Sequence, residues 1–188
     1  MLKNFIERHG LVLNKQTNRY DYNHGMYVHI YASDLEDGHF KIPLGKIDGN
    51  FVVDKDLNST FTSLFNGPTE VTGKFDISHN RGIKSLQYAP TKVGGDFNAG
   101  QCYDLKSLEG GPEYVGGDYN INWCYKLHDL KGAPKIINGN FFLNHCRGLS
   151  SLNDGPEQVK GSIKMTDTPN LNKEVKLAWK KKVKAKKK

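Results

Sequence analysis

Residues 68–89, PTEVTGKFDISHNRGIKSLQYA, set a pattern that the next 66 residues repeat three times without a gap. The copies occupy residues 90–111, 112–133 and 134–155, with a partial copy from Pro156 and a looser one before them from Pro43. Prolines fall at 68, 90, 112, 134 and 156, and glycines at 73, 95, 117, 139 and 161, both in steps of 22. A fixed period of about 20–30 residues is the mark of a solenoid, and it governs how every other feature is read.

Each copy places apolar residues in the same slots. The first holds Val71, Val93, Val115, Ile137 and Val159, and the second holds Phe75, Phe97, Tyr119, Phe141 and Ile163. Two residues on come Ile77, Ala99, Ile121, Leu143 and Met165. That spacing of two puts both side chains on one face of a short strand, with Asp76 between them on the other. Later slots hold Ile83, Leu105, Leu127, Leu149 and Leu171, then Leu86, Leu108, Leu130 and Leu152. A small residue and a proline follow, where the fixed φ of proline turns a corner. No coil buries its own apolar side, so stacking must turn the slots into columns and the columns into a core. The recurring glycine marks either a positive φ or a tight approach between coils.

Three residues past the second strand position, the slot reads Asn80, Cys102, Cys124, Cys146 and Thr168. An apolar-x-apolar-x-x-Asn/Cys pattern followed by leucine is the leucine-rich-repeat signature. The chain resembles leucine-rich repeats of bacterial type and, more narrowly, repeat proteins encoded by tailed bacteriophages, whose coils read roughly L-x-S-L-x-G-x-P-x-x-V-x-G-x-F. The resemblance covers residues 43–171, with a longer gap after the Asn/Cys slot and a coil of 22 residues as its departures. It implies a mainly β, right-handed solenoid with one parallel sheet, whose sheet side receives partners. It also implies that the Asn/Cys slot hydrogen-bonds the backbone of the neighbouring coil, which makes the three cysteines a structural spine. Irregular spacing would suit disulfides and converging ligands would suit zinc, and a single inward column offers neither. No cofactor or metal is expected.

Three segments follow. Residues 1–42 form a cap, with a short helix over KNFIERH, a hairpin from Tyr20 to Tyr31, and Val28 and Ile30 turned inward. Residues 43–171 form about six coils, the first of them lengthened near Lys55. Residues 172–188 hold a short helix with Val175, Trp179 and Val183 on one stripe, then a lysine-rich tail expected to be disordered. The formal charge is +7 and the pI about 9.2, but the last sixteen residues carry nine lysines against one glutamate. The remaining 172 residues therefore sum to −1, and the basicity belongs to the tail.

Function is sought in the outward columns, since packing accounts for the inward ones. The candidate partner-binding residues are Asp96 and Asp118, then Asn98, Asn120 and Phe142, then Asn122. Beside them run His79, Gln101, Trp123 and His145, and beyond these Arg81, Tyr103, Tyr125 and Arg147. Aromatic side chains next to arginines have the composition of interaction hot spots, and an exposed tryptophan is costly to leave in water without a use. Asp96 and Asp118 read as duplicated surface carboxylates rather than a calcium site. His79 and His145 lie three coils apart, roughly 14 Å at the strand spacing, too far to share a metal. No nucleophile–base pair or phosphate loop stands out, so an enzyme is not expected.

The tail lysines Lys180, Lys181, Lys182, Lys184, Lys186, Lys187 and Lys188 admit three readings: nucleic-acid phosphates, an acidic protein surface, or solubility. The resulting expectation is a non-enzymatic, cytoplasmic binding protein whose repeat face docks a protein. The phage resemblance makes that partner a host protein, in its sharpest form a defence enzyme that is inhibited. A nucleic-acid-associated protein is the alternative. Neither an apolar run of membrane length nor a secretory leader is visible in the sequence.

Overall fold

A computed structural model describes residues 2–185. Helix α1 (Leu2–His9) opens the chain, seven stacked coils follow, and helix α2 (Lys173–Ala185) closes it. The coils build two parallel sheets rather than the single sheet expected. One runs through Arg19–Tyr22, Leu44–Ile47, Glu70–Val71, Lys92–Val93, Tyr114–Val115, Ile136–Ile137 and Gln158–Val159. The other runs through Tyr27–Ile30, Asn50–Val53, Phe75–Asp76, Phe97–Asn98, Tyr119–Asn120, Phe141–Phe142 and Ile163–Lys164. From the third coil on the register repeats without slippage, Val71 opposite Val93 and Phe75 opposite Phe97, whereas Arg19–Tyr22 shifts by one residue against Leu44–Ile47. The first of these sheets escapes a reading of alternation because its strands from Glu70 onward each offer one inward residue, and a period of two needs at least two.

Between the two strands of a coil the chain turns at the recurring glycine. The N–H of Gly95 donates to the carbonyl of Gly73 (2.9 Å), and Gly117, Gly139 and Gly161 repeat the bond at the same length. A Cβ on Gly139 would stand 2.5 Å from the carbonyl carbon of Gly117. Close approach, not positive φ, is therefore what this column requires.

The first coil lies inside the segment expected to be only a cap. Strands Arg19–Tyr22 and Tyr27–Ile30 do not form a hairpin with each other. Asp48 donates to Tyr22 and Asn50 to Met26 (both 2.7 Å), tying both strands to the next coil in the sense of the stack. The antiparallel hairpin instead joins Val12–Asn14 to Arg19–Tyr22. Val28 and Ile30 are fully buried, as their alternation requires, and Phe5 of α1 packs onto the same core. In the lengthened second coil the extra residues form a 3-10 turn, Lys55–Leu57.

Inside, the second slot becomes an aromatic column. Phe51, Phe75, Phe97, Tyr119 and Phe141 follow one another at ring separations of 5.0–5.5 Å. Trp179 of α2 covers its end, 6.4 Å from Phe141. Beside it stands the cysteine column, whose thiols donate to carbonyls of the preceding coil: Cys102 to Ile77 (3.2 Å), Cys124 to Ala99 (3.4 Å) and Cys146 to Ile121 (3.1 Å).

The C-terminal segment departs from expectation as well. Lys181, Lys182 and Lys184 belong to α2 rather than to a disordered tail. Trp179 and Val183 are one turn apart on the same face, and their burial against the last coils carries the helix past the lysines. Val175, expected on that stripe, is 44% exposed. Lys186, Lys187 and Lys188 lie outside the described residues.

Candidate binding ridge

At the end of the second sheet each coil makes one more ladder bond before turning inward. The N–H groups of His79, Gln101, Trp123 and His145 donate to the carbonyls of Gly100, Asn122, Asn144 and Thr166 at 2.8–2.9 Å. All four residues, and Asp167 after them, have positive φ, between 48° and 66°. This left-handed step turns the next residue, Asn80 or a cysteine, into the core, and throws the preceding side chain outward. Glycine would take this conformation without strain, whereas an ordinary residue loses about 1–2 kcal/mol there. No coil has glycine in the slot. Strained backbone carrying large side chains is characteristic of sites in use.

These side chains stack from coil to coil. The His145 ring lies on the Trp123 indole with centroids 3.8 Å apart. Two residues farther along, Arg81 covers Tyr103 (4.8 Å), Tyr103 stacks on Tyr125 (5.0 Å), and Arg147 closes the row over Tyr125 (5.9 Å). The two rows are laced together. Tyr103 Oη donates to Gln101 Oε1 (3.0 Å), and Trp123 meets Tyr125 edge-on (6.1 Å). Asp167 Oδ2 receives both His145 Nδ1 (3.0 Å) and Arg147 Nε (2.8 Å). The hydrogen bond to His145, then that to Arg147, holds the Asp167 carboxyl below its ordinary range. The result is a ridge of aromatic and cationic groups four coils long.

Trp123 is half-buried rather than exposed, because its neighbours in the rows cover it; Tyr103 and Tyr125 are half-buried for the same reason. His79, Arg81, Tyr103, Trp123, Tyr125, His145 and Arg147 are thus brought together. Gln101, which shares the column of His79 and Trp123, and Asp167, which is not among the candidates, complete the group. A step of 22 from His79 and from His145 points to both.

The remaining candidates serve the stack instead. Asp96 Oδ1 accepts the N–H of Asp118 (2.8 Å), and Asp118 Oδ1 accepts that of Asn140 (2.6 Å), so both carboxylates fasten the next coil. Asn120 donates to Asn98 Oδ1 (3.0 Å) and Asn98 to Asp76 Oδ2 (3.2 Å), a side-chain ladder along the strand face. Burial works to raise the Asp76 carboxyl, but Lys74, 2.6 Å away, and Ser78 together hold it below its usual value. Asn122 Oδ1 accepts the N–H of Asn144 (2.7 Å). Phe142 stands apart on the sheet, in register between Asn120 and Lys164.

Among the described residues no three His, Cys, Asp or Glu side chains gather as a metal-binding group, and no helix is long and apolar enough to cross a membrane. Lys180, Lys181 and Lys184 line a shallow apolar cleft with Ile163 and Leu177 beside the last coil. Burial, then repulsion by Lys176 and Lys184, lowers the Lys180 ammonium pKa. The chain matches no protein-family profile, no curated protein and no solved structure.

Proposed function

We propose that this chain is a non-enzymatic binding scaffold that docks a protein partner on the ridge of Tyr103, Trp123, Tyr125, Arg81 and Arg147. One observation supports it above the others: four coils keep large side chains on a left-handed backbone slot where glycine would relieve strain. Aromatic rings already held by stacking lose little rotamer entropy on binding, and arginines beside them supply directional hydrogen bonds. The lysines of α2 steer an acidic partner toward the body. The coil pattern resembles the leucine-rich repeats of tailed phages. On that resemblance the partner is a protein of the bacterial host, and the sharpest form of the reading is inhibition of a defence enzyme in the cytoplasm.

The test is capture from nuclease-treated bacterial lysate at low and high salt, with three forms of the chain. Wild type should retain one stoichiometric protein under both salts. Trp123→Ala with Tyr125→Ala should lose it while keeping the wild-type fold, since neither ring is in the core. Lys181→Gln with Lys182→Gln and Lys184→Gln should weaken capture only modestly. Recovery that disappears with nuclease, or that follows the lysines and ignores the aromatic pair, would replace protein docking with nucleic-acid binding through α2.

A further inference from the structure

The ridge contains the same histidine–arginine pair twice. His79 and Arg81 occupy in the third coil the slots that His145 and Arg147 occupy in the sixth. At the far end the pair is filled: Asp167, from the following coil, puts one carboxylate oxygen on both His145 and Arg147. At the near end the residue in the Asp167 slot is Gln101, a neutral amide whose oxygen is taken by the Tyr103 hydroxyl and whose nitrogen faces His79 (3.4 Å). The near pair therefore lacks the carboxylate of the far pair.

In its place is a pocket of about 130 Å³, lined by Lys55, Asn58, His79, Arg81, Gln101 and Tyr103. The lining has two fixed cations, an imidazole and two side-chain amides, and no carboxylate. Asp54 and Asp56 flank Lys55, but Asp54 Oδ1 accepts the backbone N–H of Asp56 (3.0 Å), and neither carboxylate lines the pocket. Asp104, next to Tyr103, is paired with Lys126 at 2.5 Å. The Arg81 guanidinium lies over the Tyr103 ring, 4.8 Å from its centroid, and both side chains line the pocket.

We infer that this pocket is a carboxylate-binding site, in which an acidic group from outside the chain occupies on His79 and Arg81 the place that Asp167 occupies on His145 and Arg147, with the Lys55 ammonium beside them. The inference goes beyond ridge docking and does not depend on it, because a small carboxylate suffices to fill the pocket.

The experiment is an NMR titration of the full chain at constant ionic strength, following the His79 ring and Arg81 Nε–Hε signals. The probe is N-acetyl-aspartate amide, with inorganic phosphate in a parallel series. Saturable binding of the aspartate probe with a dissociation constant of about 1–10 mM is expected, in the range of a single clamped ion pair. It should weaken at least tenfold in Arg81→Gln and persist in Arg147→Gln. A second variant works from within: Gln101→Asp supplies the missing carboxylate, and should shift the His79 and Arg81 signals without ligand and abolish binding. A linear, unsaturable response, an equal response in Arg81→Gln, or saturation by phosphate but not by the aspartate probe would each overturn the assignment.

Discussion

The imidazole of His145 lies flat on the indole of Trp123, centroids 3.8 Å apart and planes 17° from parallel, although the two residues are 22 positions apart. They meet because both leave the backbone from the same left-handed step, at φ 59° and 64°. Equal backbone geometry on adjacent coils sends equal vectors outward, so any two flat side chains in this slot stack. The ridge follows from the coil period together with one dihedral.

That dihedral yields an inverted mutational order. At an ordinary exposed position glycine is worse than alanine, because it loses more backbone entropy on folding. At Trp123 the order should reverse: Trp123→Gly should be at least as stable as Trp123→Ala, since glycine removes about 1 kcal/mol of left-handed strain that alanine keeps. Urea unfolding of the two variants checks this. An alanine variant more stable than the glycine one would mean that the slot is not strained.

Asp167 predicts an acid sensitivity confined to the ridge. Its folded pKa is depressed, by His145 first and Arg147 next. Its contribution is therefore present above the ordinary aspartate pKa and is lost as pH falls through the depressed folded value. A carboxyl-detected NMR titration should place Asp167 below a typical aspartate, and Arg147→Gln should raise it. Asp167→Asn should abolish the acid response at Trp123, read by its fluorescence, while Trp179 remains as the unchanged reporter.

Tyr119 carries a penalty that a single substitution removes. The ring is fully buried between Phe97 and Phe141, and its hydroxyl has no hydrogen-bond partner among the described residues. Tyr119→Phe should therefore raise stability, by about 1 kcal/mol, by taking an unpaired polar group out of the core. Phe97→Ala in the same column should lower stability by about 3–5 kcal/mol. Denaturant midpoints decide both, and a destabilised Tyr119→Phe would reveal a partner for the hydroxyl.

The cysteine spine should be silent chemically and sensitive to alkali. Burial pushes the Cys102 and Cys146 thiols up to about 12, and Cys124 also well above an ordinary thiol. A raised folded pKa means the contribution is intact below the unfolded value and is lost as pH climbs from there toward 12. The three thiols should resist Ellman's reagent at pH 8 in the folded chain and react together on unfolding. Stability should fall from about pH 9 upward, and a Cys102→Ala, Cys124→Ala, Cys146→Ala chain should lose the part that sets in near pH 9, keeping that of the buried Tyr119 hydroxyl, whose pKa burial also raises.

The coil, its length, the aromatic and leucine columns and the cysteine spine were all legible in the amino-acid sequence, because each depends on which residue recurs after 22 positions. Stacking identical units turns a local pattern into a column with no further information. Other features needed three dimensions. The sheet through Val71, Val93, Val115, Ile137 and Val159 rests in those coils on strands of two residues, too short to alternate. The first coil, hidden among residues of an irregular cap, is a coil because Tyr22 and Met26 bond to Asp48 and Asn50. The lysines of α2 are helical because Trp179 and Val183 have the last coils to bury against. Asp96, Asp118, Asn98 and Asn120 look like a polar surface in sequence, yet their side chains are taken up by hydrogen bonds to the neighbouring coils. The sequence determined which side chains recur; the left-handed step and the spacing between coils decided which of them touch, since direction and distance are set by backbone dihedrals that a residue pattern does not express.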